Sequence, residues 1–214
     1  IEHPILTDKT SLKCDNRSLE ILSGKWSYGP WSATFAGRIP FSKPDKLSFA
    51  FKSYIQLSNL RSSRILLDGD LPFGYKNKRL KFGELLTDVS LKNFPLSSFG
   101  ELIETKMSGK LSAKGQISGP LDFLKSNFSL TLTNPQVRGI RLQEEWRGDL
   151  VVPSEGGGDL LISSVGASVP GTISAKFSED WTLRNFNFKR LGGFIDIQNK
   201  DNKFIWKASD FRLD

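Results

Sequence analysis

The chain of 214 residues is 38% hydrophobic and 25% charged, but 16 phenylalanines and 5 tryptophans run along its whole length, which excludes the aromatic-poor composition of a disordered chain. A net charge of +7 is spread evenly apart from one cluster, YKNKRLK at 75–81; this suits an anionic membrane surface or a solvated face better than specific nucleic-acid binding, which concentrates charge on one element. With one cysteine, Cys14, and one histidine, His3, neither an intrachain disulfide nor a Cys/His zinc site can be built within the chain.

The opening IEHPILTDKTSLK has neither the basic n-region nor the apolar h-region of a signal peptide, and no stretch approaches the ~20 apolar residues of a membrane helix. Since the chain also starts at Ile1 rather than Met, the expectation is a single β-rich segment, 1–214, of a larger protein whose targeting signals lie elsewhere. Period-two alternation then dominates. GKWSYGPWSATFAGRIPF reads as two strands broken at Gly29-Pro30, because proline cannot donate to a ladder. In KLSFAFKSYIQLSN, Leu47, Phe49, Phe51, Ile55 and Leu57 share one parity while Ser48, Lys52, Tyr54 and Gln56 share the other, the signature of a strand with one buried face. RILLDGDL continues in phase through Ile65, Leu67, Gly69 and Leu71, so these two strands are expected to pair antiparallel across the polar SNLRSS.

Alternation fails in LLTDVSLKNFPLSSFGELIETKMSGKL. There Pro95 offers a first helical residue, Ser97 or Ser98 a cap, and Leu96, Phe99, Leu102, Ile103 and Met107 an apolar stripe, so one short helix is expected near 95–107, with a hinge or repeat boundary around 94–107. Strand resumes with Leu111, Ala113, Gly115 and Ile117 on one parity, followed by Phe128, Leu130 and Leu132. Asn134-Pro135 reads as an interruption before VRGIRL, with Ile140 and Leu142 inward. From Trp146 onward, short strands separated by Gly-rich or polar turns at intervals of roughly eight to twelve residues describe an all-β meander. Ser23-Gly24-Lys25 and Ser108-Gly109-Lys110 echo one another as a faint internal repeat.

Raw material for catalysis is poor, and no catalytic residue, metal site or cofactor is assigned. His3 sits at the end of the sequence, an unfavourable place for a triad or a metal site. The carboxylate pairs Asp68/Asp70, Glu144/Glu145 and Glu179/Asp180 read as solvated charge, the first outward on a strand and the others in turns. EGGGD lacks the spacing of a phosphate-cradling loop. Trp26, Trp31, Trp146, Trp181 and Trp206 are scattered over separate strands, as β-sheet packing residues are, although a sugar-stacking set is the alternative.

The punctuation of the middle of the chain is more specific. Phe94, Pro95, Leu96 and Ser97 form an F-P-L-S connector; Gly109, Leu111, Gly115, Ile117, Gly119, Pro120 and Leu121 follow G-x-L-x-x-x-G-x-I-x-G-P-L; Leu130, Leu132, Asn134 and Pro135 follow L-x-L-x-N-P; and Val137, Gly139, Ile140 and Leu142 follow V-x-G-I-x-L. This succession over 94–142 resembles the repetitive β region of the TamB family, the AsmA-like envelope proteins with cyanobacterial and chloroplast-envelope relatives. The chain departs from it in having DFLKSN where a proline is usual soon after G-P-L. The resemblance implies a β-taco, a long sheet curled into an open trough that is apolar within. It implies a periplasmic protein anchored in the inner membrane, or one of the chloroplast intermembrane space. It also implies a role in moving phospholipid and in envelope protein assembly. A TamA-type outer-membrane barrel would be the partner, met through other parts of the full-length chain, with no nucleic-acid partner and with membrane contact outside this segment.

Alternation leads to the same picture independently. An inward parity that no second sheet closes would offer acyl chains an apolar path, each buried methylene contributing about 0.8 kcal/mol. Its expected lining is Leu47, Phe49, Phe51, Ile55, Leu111, Ile117, Phe128, Leu130, Leu132, Ile140 and Leu142. Three alternatives stay open: a closed β-sandwich in which these residues pack a core, a structural or chaperone-like β module that holds partner strands at open sheet edges, and a carbohydrate-binding β-sandwich using the tryptophans.

Overall fold

The computed structural model describes residues 6–7, 10–28, 31–41, 47–57, 64–76, 79–98, 106–137, 140–142, 144–190, 193–200 and 203–209. They form an all-β chain whose ladders among these residues run antiparallel, and it divides into two compact units, Ile1–Lys92 with Gly115–Leu124, and Asn93–Lys114 with Lys125–Asp214. The division passes through two long strands, so each of them contributes to both units.

The first unit is a meander of β3 (Ser18–Tyr28), β4 (Trp31–Pro40), β5 (Leu47–Leu57), β6 (Arg64–Lys76) and β8 (Leu85–Pro95). Short strands β1 (Leu6–Thr7) and β2 (Ser11–Cys14) pair with β3, and β7 (Arg79–Phe82) pairs with β6. Directly opposed residues share a face, and the alternation sorts them cleanly. Trp26, Ala33, Ile55, Ile65 and Leu91 make one inner row, and Gly24, Phe35, Ser53, Leu67 and Val89 the next. A third inner row is Ile21, Gly37, Phe51, Gly69 and Thr87. The outer face is polar and laced with cross-strand charge: Lys52 meets Asp68 at 2.9 Å and Arg38 meets Glu20 at 3.2 Å.

Glycine has a specific use in these rows. A Cβ on Gly69 would come within 2.4 Å of Thr87 Oγ1, 2.8 Å of Phe51 Cζ and 2.9 Å of the Leu86 carbonyl oxygen. A Cβ on Gly24 would strike the Phe35 ring, and one on Gly37 the Phe49 ring. The phenylalanines therefore lie down across bare backbone on the neighbouring strand instead of standing up from the sheet, as aromatic side chains do over strand glycines. Phe49 and Phe51 are also stacked, with centroids 5.7 Å apart.

The second unit contains the start of β9 (Met107–Gly119), then β10 (Lys125–Val137), β11 (Ile140–Arg141), β12 (Glu145–Val152), β13 (Gly158–Val165), β14 (Thr172–Phe177), β15 (Leu183–Arg190), β16 (Gly193–Lys200) and β17 (Lys203–Ser209). From β12 to β17 each strand pairs with the next, and β10 pairs with both β11 and β12. Among the described residues no register joins the ends of either meander, so the sheets are open and the closed sandwich is not formed. PSEGGGDL is a turn as its glycines suggest: the Gly156 N–H donates to the Pro153 carbonyl, and Gly156 and Gly157 have φ of 90° and 77°.

Two expectations are corrected. Asn134-Pro135 does not interrupt the strand; β10 runs through it. Asn134 takes the left-handed conformation at φ 47°, which swaps the faces, so that after half-buried Leu132 the buried position is Pro135. Gly109, at φ 110°, makes this possible on β9, because a Cβ there would lie 2.6 Å from the Asn134 carbonyl oxygen. The helix begins where Pro95 indicates, with 96–98 helical and Leu96 buried, but Met107 belongs to β9, its half-buried and exposed positions alternating in phase with Leu111 and Ile117. Residues 99–105, with Phe99, Leu102 and Ile103, lie outside the described residues, as do the turn residues of SNLRSS at 58–63 and Gly29-Pro30. The Ser-Gly-Lys echo is one of letters only: Gly109 is left-handed and Gly24 sits in β3 beside a one-residue register shift.

Replacing Gly69 with alanine is expected to lower the unfolding free energy by about 1–3 kcal/mol in a denaturant titration, since the new methyl collides with backbone as well as side chain. Gly74→Ala, with nothing within 4 Å of its Cβ position, is expected to change it by less than about 0.5 kcal/mol.

Candidate functional site: an apolar sheet face

The expected lining residues fall in two places. Leu47, Phe49, Phe51 and Ile55 share the inner face of β5 in the first unit. Ile117 joins that unit's face from β9, since its neighbour Gln116 points outward and donates to Asp88 at 3.0 Å. Phe128, Leu130 and Leu132 share the inner face of β10 in the second unit, which also holds Leu111, Ile140 and Leu142. Ile140's side chain lies outside the described residues; every other member of the set is half-buried, neither sealed in nor fully exposed. Genuine core positions differ sharply: Ile162 and Ala175 are each 4% exposed and Phe94 is 0% exposed.

In the second unit the apolar face is continuous across seven strands. One row runs Phe128, Leu150, Leu160, Ala175, Phe186 and Ile197, and the adjacent row runs Leu130, Gly148, Ile162, Ile173, Phe188, Ile195 and Ala208. Six interstrand spacings give the longer row a length of roughly 29 Å. Gly148 brings backbones close, because a Cβ there would sit 1.9 Å from the Leu161 carbonyl oxygen. The result is a dip in the second row with large side chains on either side of it.

A third row, Leu132, Trp146 and Ser164, is closed over. Trp146 is 0% exposed, and its indole crosses the two intervening strands to reach Phe188 on β15, with ring centroids 6.1 Å apart. Small residues make room: the indole lies 2.6 Å from the Cβ position of Gly171, whose N–H donates to Ser164 Oγ at 2.7 Å. Strands three apart are roughly 14 Å apart on a flat sheet, so this contact requires the face to curl around the indole. Beyond it, the Arg190 guanidinium grips Glu144 with both nitrogens: Nη2 donates to Oε1 and Nη1 to Oε2 at 3.3 Å, in side chains only 26% and 16% exposed. Reading Glu144 as solvated charge is thereby corrected, since its partner is 46 residues away in sequence.

The remaining candidates separate. Asp68 is engaged by Lys52, and Asp70 accepts from Ser48 Oγ at 2.6 Å, both on the outer face. The Ser178 hydroxyl and the Thr182 N–H hold the Asp180 carboxyl down to about 2, in the turn before β15. Trp26 and Trp31 are half-buried, Trp181 is 53% exposed with φ 61°, and the Trp206 side chain lies outside the described residues. His3 lies outside the described residues too, and among those described no three His, Cys, Asp or Glu converge as a metal-binding group. Ser53 and Thr87, buried polar residues on the inner face, were not expected. Each sets a polar side chain at an otherwise apolar parity, and alternation alone does not say that such a residue stays buried.

Trp146→Ala is expected to cost about 3–5 kcal/mol of unfolding free energy, the range for emptying a filled aromatic site, while Phe128→Ala on the half-exposed row costs about 1–2 kcal/mol, both read by chemical denaturation. Comparison of the chain with protein-family models, with curated proteins and with solved structures finds no match.

Proposed function

We propose that this chain is a segment of a bridge-like lipid transport protein of the cell envelope, and that its inner sheet face carries phospholipid acyl chains between inner and outer membranes. The reading rests on one observation above all: two neighbouring apolar rows cross the second unit, and apart from Ile162 and Ala175 their described residues are half-buried or exposed, although the same unit seals Trp146 completely. A face that completed a core would be buried along its length. Apolar surface of this extent on a folded chain marks an interaction site. About ten methylenes laid along a row would contribute roughly 8 kcal/mol before the cost of ordering the chain. The resemblance of 94–142 to TamB-type envelope proteins adds a periplasmic setting, a TamA-type barrel partner and a role in outer-membrane biogenesis to the same proposal. No group on this face is suited to bond-breaking chemistry, so the proposed role is non-enzymatic.

A second reading has its own support. β17 is hydrogen-bonded on one side only among the described residues, and Phe204 and Ile205 on it are 59% and 48% exposed. An edge of this kind can accept a partner strand, as a module assisting envelope protein assembly would. The carbohydrate-binding alternative finds less support, since Trp146 is sealed away from any ligand.

Protein purified from a lipid-containing host is expected to release phospholipid on solvent extraction, at a fixed ratio to protein in native mass spectrometry. Leu130→Asp is expected to reduce that ratio at least tenfold while leaving the β-sheet circular dichroism unchanged. Lipid-free wild-type protein that also fails to take up a fluorescent phospholipid would overturn the proposal. A Leu130→Asp chain that unfolds as Trp146→Asp should would instead show Leu130 to belong to a core.

A further inference from the structure

The outer face of the first unit holds a shallow hollow of about 160 Å³, lined by Lys25, Ser32, Thr34, Tyr54, Gln56 and Arg64. The ladder explains how they meet. Lys25, Thr34 and Tyr54 stand directly opposite one another on β3, β4 and β5, and Ser32, Gln56 and Arg64 do so on β4, β5 and β6. Two cations thus point into one space from strands three apart, across a floor of three hydroxyls and an amide.

The charge pattern here differs from that of three cross-strand ion pairs on the outer faces. In each of those a cation meets a carboxylate on the neighbouring strand: Arg38 with Glu20, Lys52 with Asp68, and Lys176 with Asp159 at 3.4 Å. Among the described residues lining the hollow there is no carboxylate. Asp68, two positions along β6 from Leu66, is held by Lys52, whose ammonium is raised above its ordinary value by that hydrogen bond and charge. Like charges brought to one hollow repel unless an anion sits between them, and neutral hydroxyl and amide donors complete the coordination that an oxyanion needs.

We infer that this hollow binds a phosphate group, carried either by a phospholipid headgroup or by a free soluble phosphate. The site is on the outer face of the first unit, opposite that unit's own inner rows, so it stands or falls independently of acyl-chain transport. The arginine supplies a planar fork for two oxygens, the lysine a point charge, and Tyr54 and Thr34 donate to the remaining oxygens. Binding to surface cations is screened by salt, so it is expected to be weak and to fall with ionic strength.

The test uses the intact chain, with the Lys25→Gln/Arg64→Gln double variant and a control, Lys110→Gln/Lys114→Gln, that removes the same charge from exposed positions on β9. Titration with inorganic phosphate, followed by amide chemical shifts, is expected to move the resonances of Thr34, Tyr54 and Gln56 in wild type and control but not in the site variant. If phosphate moves none of them, or moves them equally in both variants, the site is overturned whatever vesicles do. Sedimentation with vesicles of phosphatidylglycerol in phosphatidylcholine then identifies the source. A tenfold or greater loss of binding in the site variant, against less than threefold in the control, assigns the hollow to headgroups. Equal losses with the phosphate shifts intact assign it to a soluble phosphate.

Discussion

Every inner and outer assignment in this protein follows from the pairing of opposed residues in an antiparallel ladder. Once Phe51 faces inward, Gly37 and Gly69 beside it must face inward, and so must Thr87 one strand further on. A slip of one residue would exchange the oily and charged faces of a whole strand. The outer pairs, Lys52 with Asp68 and Arg38 with Glu20, resist such a slip from the other side, because slipping any one of these four strands would turn its charge inward and leave the partner behind. Hydrophobic burial and surface electrostatics therefore select the same register, although exposed pairs of this kind contribute little stability individually.

What the inner face does with its apolar residues is not uniform. In the second unit, Trp146 closes one row over Gly171 and Ser164, with the Arg190 and Glu144 pair beyond it, while the two neighbouring rows remain half-open except at Ile162 and Ala175. Partial closure gives the unit a true core, seen also at Ile162 and Ala175, that fixes the curl of the sheet. The open rows can then be maintained without each of their residues carrying the fold. Stability and an accessible apolar surface are met by different positions of one sheet face, the closed ones at Trp146, Ile162 and Ala175 and the open ones beside them.

Much of this was legible in the sequence. Alternation alone placed Leu47, Phe49, Phe51 and Ile55 on one face and paired β5 with β6, because period two is a direct image of the pleat. The meander after Trp146 could be read from the spacing of its turns. Three features could not be read, each for a definable reason. Asn134-Pro135 looks like a break because proline ordinarily ends a ladder, and only the opposed Gly109 shows that the strand is instead turned over by a left-handed residue. Met107 fits a helical stripe as well as a strand, and short apolar patterns do not separate the two. The Glu144 and Arg190 pair joins residues 46 apart through the curl of the sheet, information that no local pattern contains.

The recumbent phenylalanines of the first unit have a further consequence. Because the rings of Phe35, Phe49 and Phe51 lie across glycine backbone, the floor there has low relief, without deep notches into which one methylene would fit better than the next. Under the proposed function, adhesion to such a floor grows with the length of hydrocarbon laid down but changes little as that hydrocarbon shifts along it. Holding strength and friction are thereby separated: an occupant is kept from water over its whole length while meeting only a shallow barrier to sliding.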